Sequence, residues 1–405
     1  MDENVVQKIW GNRAMLEEKL AGLKPMTEGI SPITIEERQG RIEKARARMA
    51  ENDIAAIYLE AGSSLFYFTG VRWERSERMM AAVIPAKGEI AYVCPAFEEA
   101  RLRERIAFGD DVRAWEEDES PYVLVAEIAR DRGIASGKIG IEESVRFFLF
   151  DGMRREAPHL EFVGADPVTI PCRAIKSPAE IALMQRANDI TVEAYKVCLS
   201  LLREGMSQEE FRANSVAAHK ALGVEGEISC QFGESTAYPH GSSELTVLKE
   251  GDVVLMDGWC TVEGYHSDIS RTIVFGEPTR HQRDVWHLEK EAQAAAFAAA
   301  QMGVPCEEVD AAARKVITGA GFGPDYKVPG LPHRTGHGIG LDIHEWYHLV
   351  RGNRIPLAPG MCFSNEPMIA IYGEFGVRLE DCMHITEDGP QFFTQPSPSI
   401  EQPFA

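Results

Sequence analysis

At 405 residues the chain is longer than one typical domain and can bury two substantial cores. Its 44% hydrophobic and 26% charged residues exclude the disordered and fibrous classes. A net charge of -21 excludes a nucleic-acid backbone or an anionic membrane as the main partner, because either would be repelled.

The chain opens with MDENVVQKIWGNRAMLEEKL, a charged amphipathic helix pattern without the apolar run of a signal peptide or membrane span. LKPMTEGISP ends it, so residues 1–33 are expected to form an N-terminal helical extension. Thr34-Ile35-Glu36-Glu37 has capping-box spacing and starts a helix running to about Glu51. IAAIYLE and LFYFTGV follow, then a hairpin, AAVIPAKGEIAYVCP, that turns at Lys87-Gly88. Helical and apolar segments alternate from there, which predicts an α/β domain over 34–170. GADPVTIPCRAIKSPAE, with Pro167, Pro171 and Pro178, has little periodicity and marks a linker. Pro178 stands at a first helical position, and the long helix behind it belongs to a second domain, 171–405.

The second domain repeats itself. Gly205, Glu209, Glu210, Ala213 and Gly223 recur as Gly303, Glu307, Glu308, Ala311 and Gly321 at a constant offset of 98 residues. Each copy runs helix, helix, His-bearing loop, hairpin. Two such halves predict packing about a pseudo-twofold axis, with a cleft between the hairpins.

The first hairpin, GDVVLMDGWCTVEGYHSDISRTIVFG, turns around Val262-Glu263-Gly264. Without a bulge it sets Asp257 directly opposite Asp268. The second, MCFSNEPMIAIYGEFGVRLEDCMHI, turns at Gly373 and sets Glu366 opposite Glu380. Like charges facing across a strand pair repel, and apolar flanks desolvate them as well. A cation between them removes both penalties. For any one of these acids, an exposed strand end or pairing with Arg271 or Arg378 is the plainer explanation; for all four together it is not.

HRTGHGIGLDIHE, residues 333–345, lies between the hairpins and carries His333, His337 and His344, with Gly336 and Gly338 flanking His337. Oxygen-rich coordination with one imidazole suits Mn, Co, Fe or Zn rather than a structural zinc site. Two such ions about 3.5–4 Å apart generate hydroxide at neutral pH and polarise a carbonyl, which predicts hydrolysis. None of the eight scattered cysteines has the neighbours of a nucleophile. With no CxxC pair they suggest a reduced, cytoplasmic compartment.

These residues resemble the metallopeptidase family that includes prolidase, Xaa-Pro aminopeptidase and methionine aminopeptidase, whose catalytic domain is called the pita-bread fold. HRTGHGIGLDIHE fits the prolidase-type signature throughout, and MDG, SDISRT, NEP and VRLED follow in the family's order. RIEKARARMAENDIAAIYLEAGSSLFYFTGV is similar to the opening of the creatinase and prolidase N-terminal domain, which methionine aminopeptidases lack. The resemblance implies two divalent ions, manganese first with Co, Zn or Fe as alternatives. Asp257 would hold one ion, Asp268 and Glu380 would bridge both, and His337 and Glu366 would complete the second. Glu366 would also take a proton from the attacking water, and His344 would stabilise the oxyanion. His240, in AYPHG, matches a substrate histidine. His333 and Arg378 match positions beside the substrate and the metals, although His333 could simply pack and Arg378 simply neutralise an acid.

Two departures stand out. Where relatives have a tyrosine soon after Glu-Pro-Gly, this chain reads Glu366-Pro-Met-Ile-Ala-Ile-Tyr372. His348 and Arg351 stand where some prolidases place an Arg for the substrate carboxylate. The expected activity is Xaa-Pro dipeptide hydrolysis by a homodimer acting on small peptides. An Xaa-Pro aminopeptidase is the alternative. A creatinase-like or lyase-like enzyme, or a non-catalytic binder on this fold, should have lost the five ligands that this chain retains.

Overall fold

The computed structural model describes residues 14–242, 244 and 246–404. Positions 1–13 of the expected first helix lie outside the described residues, and 14–21 are helical. The chain divides into two compact units. One is Pro32–Arg173; the other joins the described part of Met1–Ser31 to Ala174–Ala405. The extension is therefore part of the second unit, where Met26 N donates to Leu222 O at 2.8 Å and the Arg186 guanidinium donates to Met26 O. No described helix is long and apolar enough to cross a membrane.

In the Pro32–Arg173 unit, the Thr34 hydroxyl accepts from Glu37 N and starts helix Ile35–Glu51. A six-stranded mixed sheet follows, ordered Asp111–Trp115, Ala91–Pro95, Ala81–Pro85, Ile54–Glu60, Lys138–Ile141, Glu161–Gly164. The hairpin turns at Gly88, whose φ of 99° a side chain rarely adopts. LFYFTGV forms helix Ser63–Thr69, an ambiguity inherent in short apolar runs. The expected linker is also helical over Asp166–Ala174 with Pro171 inside it. Pro167 stands in the first turn, where its missing N–H is unused, so Pro171 removes only a bond to the Pro167 carbonyl.

In the second unit, Ser177 and Glu180 close a capping box around Pro178 and begin helix Pro178–Ser200. Helix pairs Pro178–Ser200 with Gln208–Leu222 and Arg280–Ala299 with Cys306–Gly319 each precede strands. The repeat survives in backbone geometry. Gly205 and Gly303 have φ of 79° and 82°; Gly223 and Gly321 have 93° and 92°. Gly205 N donates to Leu248 O and Gly303 N to Leu357 O, while Val224 N reaches His219 O and Phe322 N reaches Ile317 O. Equivalent glycines thus turn equivalent helix ends.

The first half carries a sheet of Ile269–Val274, Val253–Val262 and Glu225–Phe232, with the short Tyr265–His266 also paired to Val253–Val262. The second carries Glu345–Leu349, Gly336–Gly338, Cys362–Asn365, Asp381–Thr386 and Gly389–Phe392, with Met368–Ile371 and Phe375–Arg378 as a separate ribbon. Trp286, Phe363, Met383 and Leu379 pack in one core beneath the second hairpin. Each such buried side chain contributes about 1.5–3 kcal/mol.

Candidate metal centre

The two hairpins bring their acids together in different ways. Met368 pairs with Arg378 and Asn365 with Asp381, so a single register runs through the second hairpin. Glu366 and Glu380 fall opposite each other in the gap between these pairs. There the ladder opens: Glu366 N donates to Thr335 O, and Glu380 exchanges backbone bonds with Ser270. The first hairpin departs from the expected register. Asp257 faces Ser270, and Val262 faces Tyr265. Glu263 and Gly264, with φ of 51° and 86°, form the two-residue turn. Asp268 then stands two residues from Asp257's partner, in the break between Tyr265–His266 and Ile269–Val274. The two aspartates are diagonal neighbours rather than a facing pair.

His337 stands on the strand Gly336–Gly338, where added side chains would run into backbone. A Cβ on Gly338 would lie 2.6 Å from Trp346 O, and one on Gly336 would strike Ser364 O. The ring donates from Nδ1 to Gly338 O at 3.0 Å, which fixes its orientation. Nε2 then points at Glu366 Oε1, 3.2 Å away, and Asp268 Oδ2, 3.6 Å away. Only a proton or a metal ion fits between an imidazole nitrogen and two carboxylates. Asp268, His337 and Glu380, all buried, offer one ligand atom each within 4.8 Å of one another.

The surroundings give the same picture. Burial, then the charges of Glu380, Asp257 and Glu366, push the Asp268 carboxyl well above its usual range. Burial and the charges of Glu366 and Asp257 do the same to Glu380. Glu380 Oε1 is buried without a hydrogen-bond partner among the described residues. Burial also disfavours the Glu366 anion, but the hydrogen bond and charge of His337, then His333 and Arg378, hold it below the usual range. A buried set of three acids around one imidazole, with an orphaned carboxylate oxygen, fits hard or borderline divalent cations.

Asp257 joins through intermediaries. Its Oδ2 lies 2.6 Å from Arg378 Nη2, and its Oδ1 is 3.3 Å from Ser270 Oγ. Ser270 Oγ donates to Glu380 Oε2 at 2.6 Å and accepts from Arg378 Nε at 2.9 Å. Arg378 also reaches Pro239 O at 3.3 Å, tying the His240 loop to the site. Burial lowers the Arg378 pKa, yet the four acids more than offset this and leave it raised.

The His344 ring stands edge-on to His337, with centroids 4.2 Å apart. Burial, then the charges of His337 and Arg334, push it down to about 4, so it is neutral near pH 7. His333 donates from Nδ1 to Arg334 O and is depressed by burial, with Nε2 buried and unpartnered among the described residues. Arg351 is paired with Asp325 at 2.7 Å, an exposed contact. Arg271 is fully buried and pairs with Asp381 rather than with any of the clustered acids.

Two participants escape the sequence reading. Ser270 could have been found from its spacing of two from Asp268. Lys176, buried and 3.0 Å from Glu345, carries no local signal because its partner lies far along the chain. All eight cysteines are buried and free. Burial pushes their thiols up, Cys260 to about 11 and Cys362 to about 12, for example, so none is an activated nucleophile.

The profile of Metallopeptidase family M24 matches residues 182–387, and that of the Creatinase/Prolidase N-terminal domain matches 41–175. An Xaa-Pro dipeptidase of Lactobacillus helveticus is 34% identical over 85% of this chain and 93% of its own length. The crystal structure of dipeptidase PepE from Mycobacterium ulcerans is 31% identical with a TM-score of 0.85, covering 93% of this chain and all of that one. A prolidase structure from Thermococcus sibiricus, 29% identical, has a TM-score of 0.80 over 88% of this chain and 96% of its own. Family, fold and the divalent-cation chemistry of the clustered acids agree: this chain is an M24 metallopeptidase with a creatinase/prolidase-type N-terminal domain.

Proposed function

We propose that the protein hydrolyses the Xaa-Pro bond of dipeptides and short peptides, using two divalent ions, manganese first with Co, Zn or Fe as alternatives, held by Asp257, Asp268, His337, Glu366 and Glu380. The observation that carries the metal reading is the His337 ring: fixed through Nδ1, it aims Nε2 at two carboxylate oxygens. The dipeptide reading is supported by the relatives named Xaa-Pro dipeptidase and prolidase. When bound, the ions would act as Lewis acids on the scissile carbonyl and lower the pKa of water.

The chain's own residues supply positioning and proton transfer. Glu366, ionised and beside His337, is placed to take the proton of the attacking water and return it to the leaving nitrogen. A neutral His344 has one N–H to donate to the developing oxyanion. His240 and His333 would contact the substrate, and Arg378 holds Asp257 while tying the His240 loop in place. A homodimer belongs to the same reading and is measured by light scattering.

The test is hydrolysis by the manganese-reconstituted protein of Ala-Pro and Leu-Pro beside an Xaa-Pro-Pro tripeptide. Dipeptide cleavage supports the proposal, and cleavage of the tripeptide alone assigns an aminopeptidase. Inactivity on both with metal bound rejects proline-directed hydrolysis.

A further inference from the structure

The Pro32–Arg173 unit contains a cavity of about 520 Å³ lined by Arg72, Arg75, Arg78, Arg101 and Arg105. Only two carboxylates, Glu74 and Glu98, share its wall. This local excess of positive charge occurs in a chain with 63 acids against 42 lysines and arginines.

Two of the five guanidinia are paired with acids. Arg78 holds Glu117 through two bonds of 2.8 and 3.0 Å, and Arg101 reaches Glu98 at 3.5 Å. The other three have no carboxylate partner among the described residues and are held by neutral groups. Arg75 donates to Ala61 O and to Ser144 Oγ. Arg105 donates to Arg72 O at 2.7 Å, and Arg72 lies over the Phe66 ring at 4.3 Å. Arg101 and Arg105 also stack on Trp73 at 4.8 and 5.0 Å. Carbonyls and ring faces orient a guanidinium without neutralising it. The full charge and the N–H groups not used in these bonds therefore remain available to an oxyanion, and much of the ordering entropy is already spent.

We infer that this cavity is a binding site for a small organic oxyanion, a carboxylate or phosphate on a planar apolar body. Arg72, Arg75 and Arg105 take the charged group, and Met80, Pro95 and Phe97 border the body. The volume suits a small molecule rather than a protein segment.

Matched probes test this: benzoate, phenyl phosphate and neutral benzyl alcohol, titrated calorimetrically into the metal-loaded full chain at low salt. At least one anion should bind saturably, with a Kd on the order of a millimolar or tighter and weakening with salt, while benzyl alcohol does not bind. The tighter anion identifies the headgroup. Arg72→Ala with Arg105→Ala should weaken binding about tenfold or more. Arg72→Gln alone removes no hydrogen bond made by that side chain and should weaken it severalfold. Absence of saturable binding by either anion overturns the site, as does unchanged binding in both variants, which would locate the anion at the metal centre instead.

Discussion

Ser270 and Glu380 exchange both backbone hydrogen bonds, Ser270 N to Glu380 O at 3.2 Å and Glu380 N to Ser270 O at 3.1 Å, and the Ser270 hydroxyl also donates to the Glu380 carboxylate. The two acid-bearing hairpins are thus fastened to each other at the candidate centre itself. Ser270→Ala keeps the backbone pair but removes the hydroxyl that serves Glu380 and Arg378. It should lower metal affinity about 10–100-fold, as loss of a ligand's supporting hydrogen bond commonly does. Chelator competition measures this, and wild-type affinity would contradict the role.

Metal-free stability should depend on pH in a particular direction. Asp268 and Glu380 keep their protons more tightly folded than unfolded. Above the ordinary carboxylate range, about pH 4, the unfolded chain has released protons that the folded chain retains, so their contribution to stability falls as pH rises through the raised folded values. Glu366, held low, contributes in the opposite sense, so the comparison needed is wild type against variant. Asp268→Asn cannot ionise. With chelator present it should melt higher than wild type at neutral pH, with a flatter pH slope, while abolishing turnover. A lower metal-free Tm for the variant would count against like-charge strain.

Lys176 and Glu345 form a buried pair next to His344, with Gly340 packed against both side chains. Lys176→Met removes the buried ammonium and should cost about 3 kcal/mol. Adding Glu345→Gln should recover part of that loss. Urea unfolding of the two single variants and the double gives the coupling, and simple additivity would show that the pair is not an energetic unit.

Gly338→Ala would set a Cβ 2.6 Å from Trp346 O and 2.8 Å from Glu345 O, both backbone atoms that cannot swing away. The strand must shift, at about 1–3 kcal/mol, and the His337 ring moves with it. Stability and activity should fall together; a stable, inactive protein would point to a purely local effect on the ring.

Much of the candidate site was legible because it is local. The second hairpin has one turn at Gly373 and no bulge, so counting residues gives the register through Glu366 and Glu380 correctly. The first was misread because its turn uses Glu263 in a left-handed conformation that residue identity does not signal, which moves Asp257 from Asp268 to Ser270. Where the extension packs and what Lys176 pairs with were not legible for another reason. Their partners, Leu222, Arg186 and Glu345, are distant in sequence, and neither periodicity nor composition encodes such contacts. Pro171 shows the opposite error, where a residue that usually breaks helices stands inside one.

The halves of the repeat reach their shared centre with arms of unequal length, aspartates from the first hairpin and glutamates from the second. A duplicated scaffold has thus become chemically lopsided by one methylene per acid. Exchanging Asp268 for Glu, or Glu380 for Asp, preserves every charge and alters only reach. Such exchanges separate what the centre owes to its electrostatic field from what it owes to its dimensions.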